Sequence, residues 1–134
     1  MADAITNRHR WEILVLANPL TVWQIKNVSK KPLRDANLDK VNLDGANLSP
    51  LEGVRAKVNG ASLRGANLNG ANLYAADFRA AHLEGASLRT AQLYAADLHG
   101  ANLTGADLSE AHLTAADLRE AILIEADLTK VRID

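Results

Sequence analysis

Three aspartates, Asp77, Asp97 and Asp117, recur at a spacing of twenty residues, and a basic or imidazole side chain follows each two residues later: Arg79, His99 and Arg119. Carboxylates held close together can bind a cation, share a proton or repel one another, depending on what neutralises them. The chain has four histidines, His9, His82, His99 and His112. None has a second histidine or a carboxylate at a zinc-binding spacing, and there are no cysteines to supply thiolate ligands. A glycine-rich phosphate loop and a nucleophile elbow are both missing from the sequence. Catalysis is therefore not expected, nor is a cofactor or a metal. Two tyrosines, Tyr74 and Tyr94, also stand twenty residues apart. They read as an aromatic docking platform or as an outward ladder that steadies neighbouring segments.

The element that must position these residues is a five-residue repeat. From Ala61 the chain runs ASLRG, ANLNG, ANLYA, ADFRA, AHLEG, ASLRT, AQLYA, ADLHG, ANLTG, ADLSE, AHLTA, ADLRE, AILIE, ADLTK with no slip of phase. A period of five is neither the 3.6 of a helix nor the 2.0 of a strand. The chain must turn a corner once per repeat. The large apolar residue is the centre of each quintet, as in Leu63, Leu68, Leu73, Phe78 and Leu83, and a small residue, usually Ala, stands two positions before it. Side chains alternate along an extended segment, so these two face inward together and the residue between them faces out. The last two positions form the corner. Gly45, Gly65, Gly85 and Gly105 fall at one corner, and Ala75, Ala95 and Ala115 at another. This difference predicts different turn types at different corners.

The tandem A(D/N)LXX quintets resemble the pentapeptide-repeat family over about four-fifths of the chain. The resemblance implies an all-β fold, a right-handed quadrilateral β-helix with four pentapeptides per coil and about five coils. Coils at a spacing of about 4.8 Å would make a rod roughly 25 Å long. Residues twenty apart then lie above one another. Leu38, Val58, Phe78, Leu98 and Leu118 should stack inside one wall, with Asp77, Asp97 and Asp117 outside it. Tyr74 and Tyr94 should stack on another wall, above Val54. The quintet Leu51–Arg55, following Pro50, has Leu in the Ala position and Gly at the centre. It reads as a local volume swap with a small bulge.

Residues 1–25 are expected to form a separate N-terminal cap, and 26–134 the β-helix. Thr6 or Asn7 would start a short α-helix that runs to about Ala17 and stops at Asn18-Pro19. An extended segment follows, and Trp11 and Trp23 plug the end of the solenoid. The run Ile13 to Ala17 is too short to span a bilayer, and its flanks do not read as a secretory signal. The lack of cysteine fits a reducing compartment, so a cytoplasmic protein is expected, and the family resemblance implies a bacterial one. A net charge of −1 gives no bulk drive towards nucleic acid or an anionic membrane.

The charge is uneven: residues 1–90 carry twelve Lys/Arg against eight Asp/Glu, and residues 91–134 carry three against eight. In the last coil the outward residues Ile122 and Ile124 flank centre Leu123. The leading expectation is a non-catalytic protein-interaction module that meets a partner, or a second copy of itself, through that coil. Ile122, Ile124, Tyr74, Tyr94, Asp77, Asp97 and Asp117 are its candidate contact residues. The alternative, implied by the resemblance, is a DNA-mimic protein that binds a type II topoisomerase such as gyrase, as quinolone-resistance factors do. Duplex DNA carries one charge per about 1.7 Å of axis, and this sequence does not approach that density.

Overall fold

The computed structural model describes residues 57–134. The expected N-terminal helix, Trp11, Trp23, the irregular quintet Leu51–Arg55 and the earlier repeats lie outside these residues. Within them, the residue before each centre forms a parallel bridge with the residue twenty positions on. The four columns run Lys57, Asp77, Asp97, Asp117; Ser62, His82, Asn102, Ile122; Asn67, Ser87, Asp107, Asp127; and Asn72, Gln92, His112, Arg132. Twenty residues therefore make one coil, and a coil has four walls. Wall 1 contains 57–60, 76–80, 96–100 and 116–120. Wall 2 contains 61–65, 81–85, 101–105 and 121–125. Wall 3 contains 66–70, 86–90, 106–110 and 126–130. Wall 4 contains 71–75, 91–95, 111–115 and 131–134.

The backbone bonds explain why five residues suffice. The N–H of a centre donates one coil onward, as Leu63 does to the carbonyl of His82 at 2.7 Å. The residue before a centre donates one coil back, as His82 does to Ala61 at 2.9 Å. The corner residue Gly65 donates onward to Glu84 at 2.9 Å, and Ala66 closes the corner by donating to Leu63 at 3.0 Å. Four of the five N–H groups in a quintet are thus satisfied by backbone. The fifth belongs to the residue after the centre, and in many quintets a side chain takes it. Wherever Asn or Asp precedes a described centre, its Oδ1 accepts that N–H. Asn69 N–H to Asn67 (3.0 Å) and Thr129 N–H to Asp127 (2.9 Å) are two of the eight cases. This is an Asx turn, and it accounts for the Asn/Asp preference at a position that otherwise only faces solvent.

The corners do not differ from one another as expected. All fifteen described corner residues have positive φ, from 54° at Ala75 and Ala80 to 68° at Gly60. Each is the third residue of a turn closed by the same bond, the arrangement of a type II turn. The Ala column follows the Gly column because the ladder on either side leaves one path round the corner. Nine of the fifteen are not glycine, and Thr90, at φ 56°, is β-branched. Such a residue is strained in this region by about 1 kcal/mol or more.

The interior is aliphatic. From Ala61 to Ala111 every Ala two positions before a centre is buried, and so is every centre from Val58 to Leu113. Phe78, the largest of them, is 1% exposed between Val58 and Leu98, as the column model requires. Each buried Leu contributes about 1.5–3 kcal/mol before entropy is subtracted. Leu98→Lys is expected to unfold the coils around it, because the ammonium would have no partner among Leu and Ala. Thr90→Gly is expected to raise stability by about 1 kcal/mol, since glycine adopts the same φ without strain. Chemical denaturation of both variants beside the wild type checks inside against outside in the first and the uniform corner in the second.

Candidate interaction surfaces

The predicted contact residues fall on three separate surfaces. Asp77, Asp97 and Asp117 come together on wall 1, Tyr74 and Tyr94 on wall 4, and Ile122 and Ile124 at the last coil of wall 2. They do not form one site.

On wall 1 the aspartates make a ladder with the cations beside them. Asp77 is 6% exposed and is gripped by Arg79, whose Nε donates to Oδ1 at 2.9 Å and Nη2 to Oδ2 at 2.7 Å. Arg79 also reaches one coil onward, with Nε 3.6 Å from Oδ2 of Asp97. Asp117 and Arg119 repeat the grip, Nη2 to Oδ2 at 2.6 Å. His99, between the two arginines in its column, approaches Glu120 at 3.7 Å. The chemistry follows from these contacts. The Arg79 guanidinium is pushed above its ordinary range by the hydrogen bond and charge of Asp77, with a smaller push from Asp97. The Arg119 side-chain bond, followed by the Asx-turn N–H, lowers the Asp117 carboxyl to about 2. The Thr129 hydroxyl and then its N–H hold Asp127 below the usual carboxylate range. These carboxylates are therefore turn caps and ion-pair partners, with their charge spent locally.

Sequence reasoning missed a second polar cluster, on wall 2. Glu84 Oε1 accepts from Asn102 Nδ2 at 3.0 Å and lies 3.4 Å from both Arg64 and His82 Nδ1. Arg64 also donates to Ser62 at 2.9 Å and meets His82 Nδ1 at 3.1 Å. Only the twenty-residue spacing of Arg64 to Glu84 and of His82 to Asn102 could have signalled it. His82, His99 and His112 stand on walls 2, 1 and 4, in three different columns. Among the described residues no group of three or more His, Asp or Glu is placed to hold a metal ion.

Among the described residues the exposed apolar surfaces are few. The Tyr74 and Tyr94 rings stack with centroids 5.5 Å apart and planes 6° from parallel, each ring nearly half exposed. In the last described coil Ile122 is 42% and Ile124 64% exposed. Two centres of that coil, Leu128 and Ile133, are exposed with them, at 43% and 72%. The outward isoleucines were legible one by one.

The sequence model of a family described as pentapeptide repeats matches in eight copies, over residues 54–85, 71–109 and 96–133. No curated protein matches the chain. Among solved structures, the chain is similar to HetL, a pentapeptide repeat protein involved in heterocyst differentiation regulation in the cyanobacterium Nostoc sp. strain PCC 7120. The identity is 39% over 73% of this chain and 47% of that one, with a TM-score of 0.63. It is similar to Rfr23 of the cyanobacterium Cyanothece 51142 at 33% identity, over 75% of this chain and 63% of that one, TM-score 0.51. A pentapeptide repeat protein of the Arabidopsis thaliana thylakoid lumen matches at 26% identity, over 77% and 68%, TM-score 0.54. The chain thus spans about half the length of HetL and under two thirds of Rfr23.

The wall 1 ladder makes stability depend on acid. Because the folded-state pKa of Asp117 is depressed, its contribution is complete above the ordinary value of 3.8 and is lost as pH falls from there to about 2. Asp117→Asn keeps the oxygen that caps the Arg119 N–H but removes the titration. Thermal unfolding from pH 6 to pH 2 should therefore show a shallower acid fall for Asp117→Asn than for the wild type.

Proposed function

Because the chain belongs to the pentapeptide-repeat family, whose members form right-handed quadrilateral β-helices, we propose that it is a non-catalytic protein-interaction module. The single observation that carries this reading is the filled prism. From Val58 to Leu113 the inward side chains are buried Ala, Leu, Val and Phe, so along these described coils another molecule is met on the outside. That outside consists of regular walls on which most polar groups already serve turns, ion pairs or neighbouring coils. What it offers beyond this is exposed apolar area. In the proposed reading the outward Ile122 and Ile124 of wall 2 seat a second protein chain, in the simplest case a second copy of this one.

The duplex-mimic alternative draws no support from wall 1. Asp77 and Asp117 are each held by an arginine at 2.7 Å or less, and Arg79 extends to Asp97. A mimic of DNA needs its carboxylates unneutralised along the rod. The other carboxylates of the acidic third are spread out, with Glu110, Glu120 and Glu125 at three different corners, Asp107 and Asp127 on wall 3 and Asp134 on wall 4.

Sedimentation velocity tests the proposal. Wild type is expected to self-associate as concentration rises, and Ile122→Asp/Ile124→Asp to weaken that association at least tenfold. A wild type that stays monomeric, or a variant that associates equally well, overturns the assignment of the last coil. Inhibition of gyrase supercoiling by the wild type would move the function to the mimic.

A further inference from the structure

Wall 4 is unlike the other three. Its quintets 71–75, 91–95 and 111–115 contain no Asp, Glu, Lys or Arg. Over the same three coils wall 1 carries Lys57, Asp77, Arg79 and Asp97, wall 2 carries Arg64 and Glu84, and wall 3 carries Arg89, Asp107 and Glu110. In their place wall 4 presents Asn72, Tyr74, Gln92, Tyr94, His112 and Thr114. Depletion of charge together with enrichment in tyrosine marks the central part of protein–protein interfaces. The tyrosines are also ordered in advance. Each ring is held by the other at 5.5 Å, so little side-chain freedom remains to be lost on contact.

The chemistry of the wall selects the occupant. A charged partner surface would be desolvated against groups unable to neutralise it. A copy of the same three quintets brings no charge, since Arg132 and Asp134 of wall 4 lie one coil beyond them. The hydroxyls of Tyr74, Tyr94 and Thr114 and the amides of Asn72 and Gln92 each both donate and accept hydrogen bonds. A set of groups that can do both is self-complementary, which is the requirement of a two-fold contact. We propose that wall 4 is a lateral homodimer surface, in which two copies lie antiparallel and face to face about a two-fold axis that crosses quintet 91–95. Gln92 and Tyr94 of both copies meet at the centre. Asn72 and Tyr74 of one copy lie opposite His112 and Thr114 of the other. Three coils make a small patch, which places the contact with weak, transient interfaces. It is independent of the last coil: it rests on wall 4 alone and uses a different set of residues.

The test uses the full chain with Ile122→Asp/Ile124→Asp, so that association through the last coil does not contribute. This background is expected to dimerise in sedimentation equilibrium at concentrations of several hundred micromolar. Gln92 is exposed, so adding Gln92→Glu or Gln92→Lys leaves the core untouched. Either change sets like charges across the axis and should weaken the dimer at least tenfold. An equimolar mixture of the Gln92→Glu and Gln92→Lys chains should restore it, because the two charges then oppose each other. Thr104→Glu, a new carboxylate on wall 2, should leave the dimer intact. A background variant that is monomeric throughout, a dimer indifferent to both changes at Gln92, or a mixture that stays monomeric overturns the proposal. None of these outcomes bears on the last coil, whose contact is read from the wild type.

Discussion

The fold depends on finding partners for the backbone N–H groups of a five-residue unit without the help of a continuous strand. Four donors are placed by the helix itself: one bonds back a coil, two bond forward, and one closes the corner. The fifth is left for the side chain before the centre, and Asn or Asp takes it within its own quintet. Ser87 is too short to do so. There Asn69, one coil below, accepts both the Arg89 N–H at 3.0 Å and the Ser87 hydroxyl at 2.6 Å. The repeat A(D/N)LXX is in this sense a hydrogen-bonding formula as much as a packing formula. Ala and Leu fill the prism, the third consensus residue completes its donors, and only the two corner positions are left largely open to variation.

That division separates stability from recognition. The inward positions carry the burial and leave no room for chemistry. The corners accept residues as different as Gly60, Thr90, Glu110 and Lys130 in one conformation, at a cost in strain for those that are not glycine. What remains for function is the pattern of outward side chains down each column. Here the walls diverge: an ion-pair ladder on wall 1, a carboxylate hub at Glu84 on wall 2, and an uncharged aromatic stretch over 71–115 of wall 4. A single scaffold thus shows several surface chemistries a quarter turn apart.

Much of this was legible in the residues. The period of five, the recurrence at twenty, the burial of Phe78 and the pairing of Tyr74 with Tyr94 all follow from reading inward and outward positions along the chain. Three features were not. The Asx bond of Asp97 or Asn102 is invisible to a pattern of polar and apolar, because it concerns where a lone pair points. The uniform corner was masked by composition. Gly and Ala columns suggested two turns, but the ladder on either side imposes one φ on both. The cluster around Glu84 depends on which side chains reach one another across a coil and not on residue type alone. Which surface meets a partner is harder still, since nothing in a column's period distinguishes a solvated ladder from a docking face.

The pairing of every residue with the one twenty positions away also bears on how such chains can change. Duplicating one quintet would leave the packing and bonding rules intact. It would, however, rotate everything beyond it by a quarter turn relative to what came before. A stripe such as Asp77, Asp97 and Asp117 would be cut, and its upper part would continue on an adjacent side. Gain or loss of four units at once preserves every stripe. Lineages that depend on a particular side of the prism should therefore differ in length by whole coils, while those in which the prism serves only as a spacer are free to differ by single units.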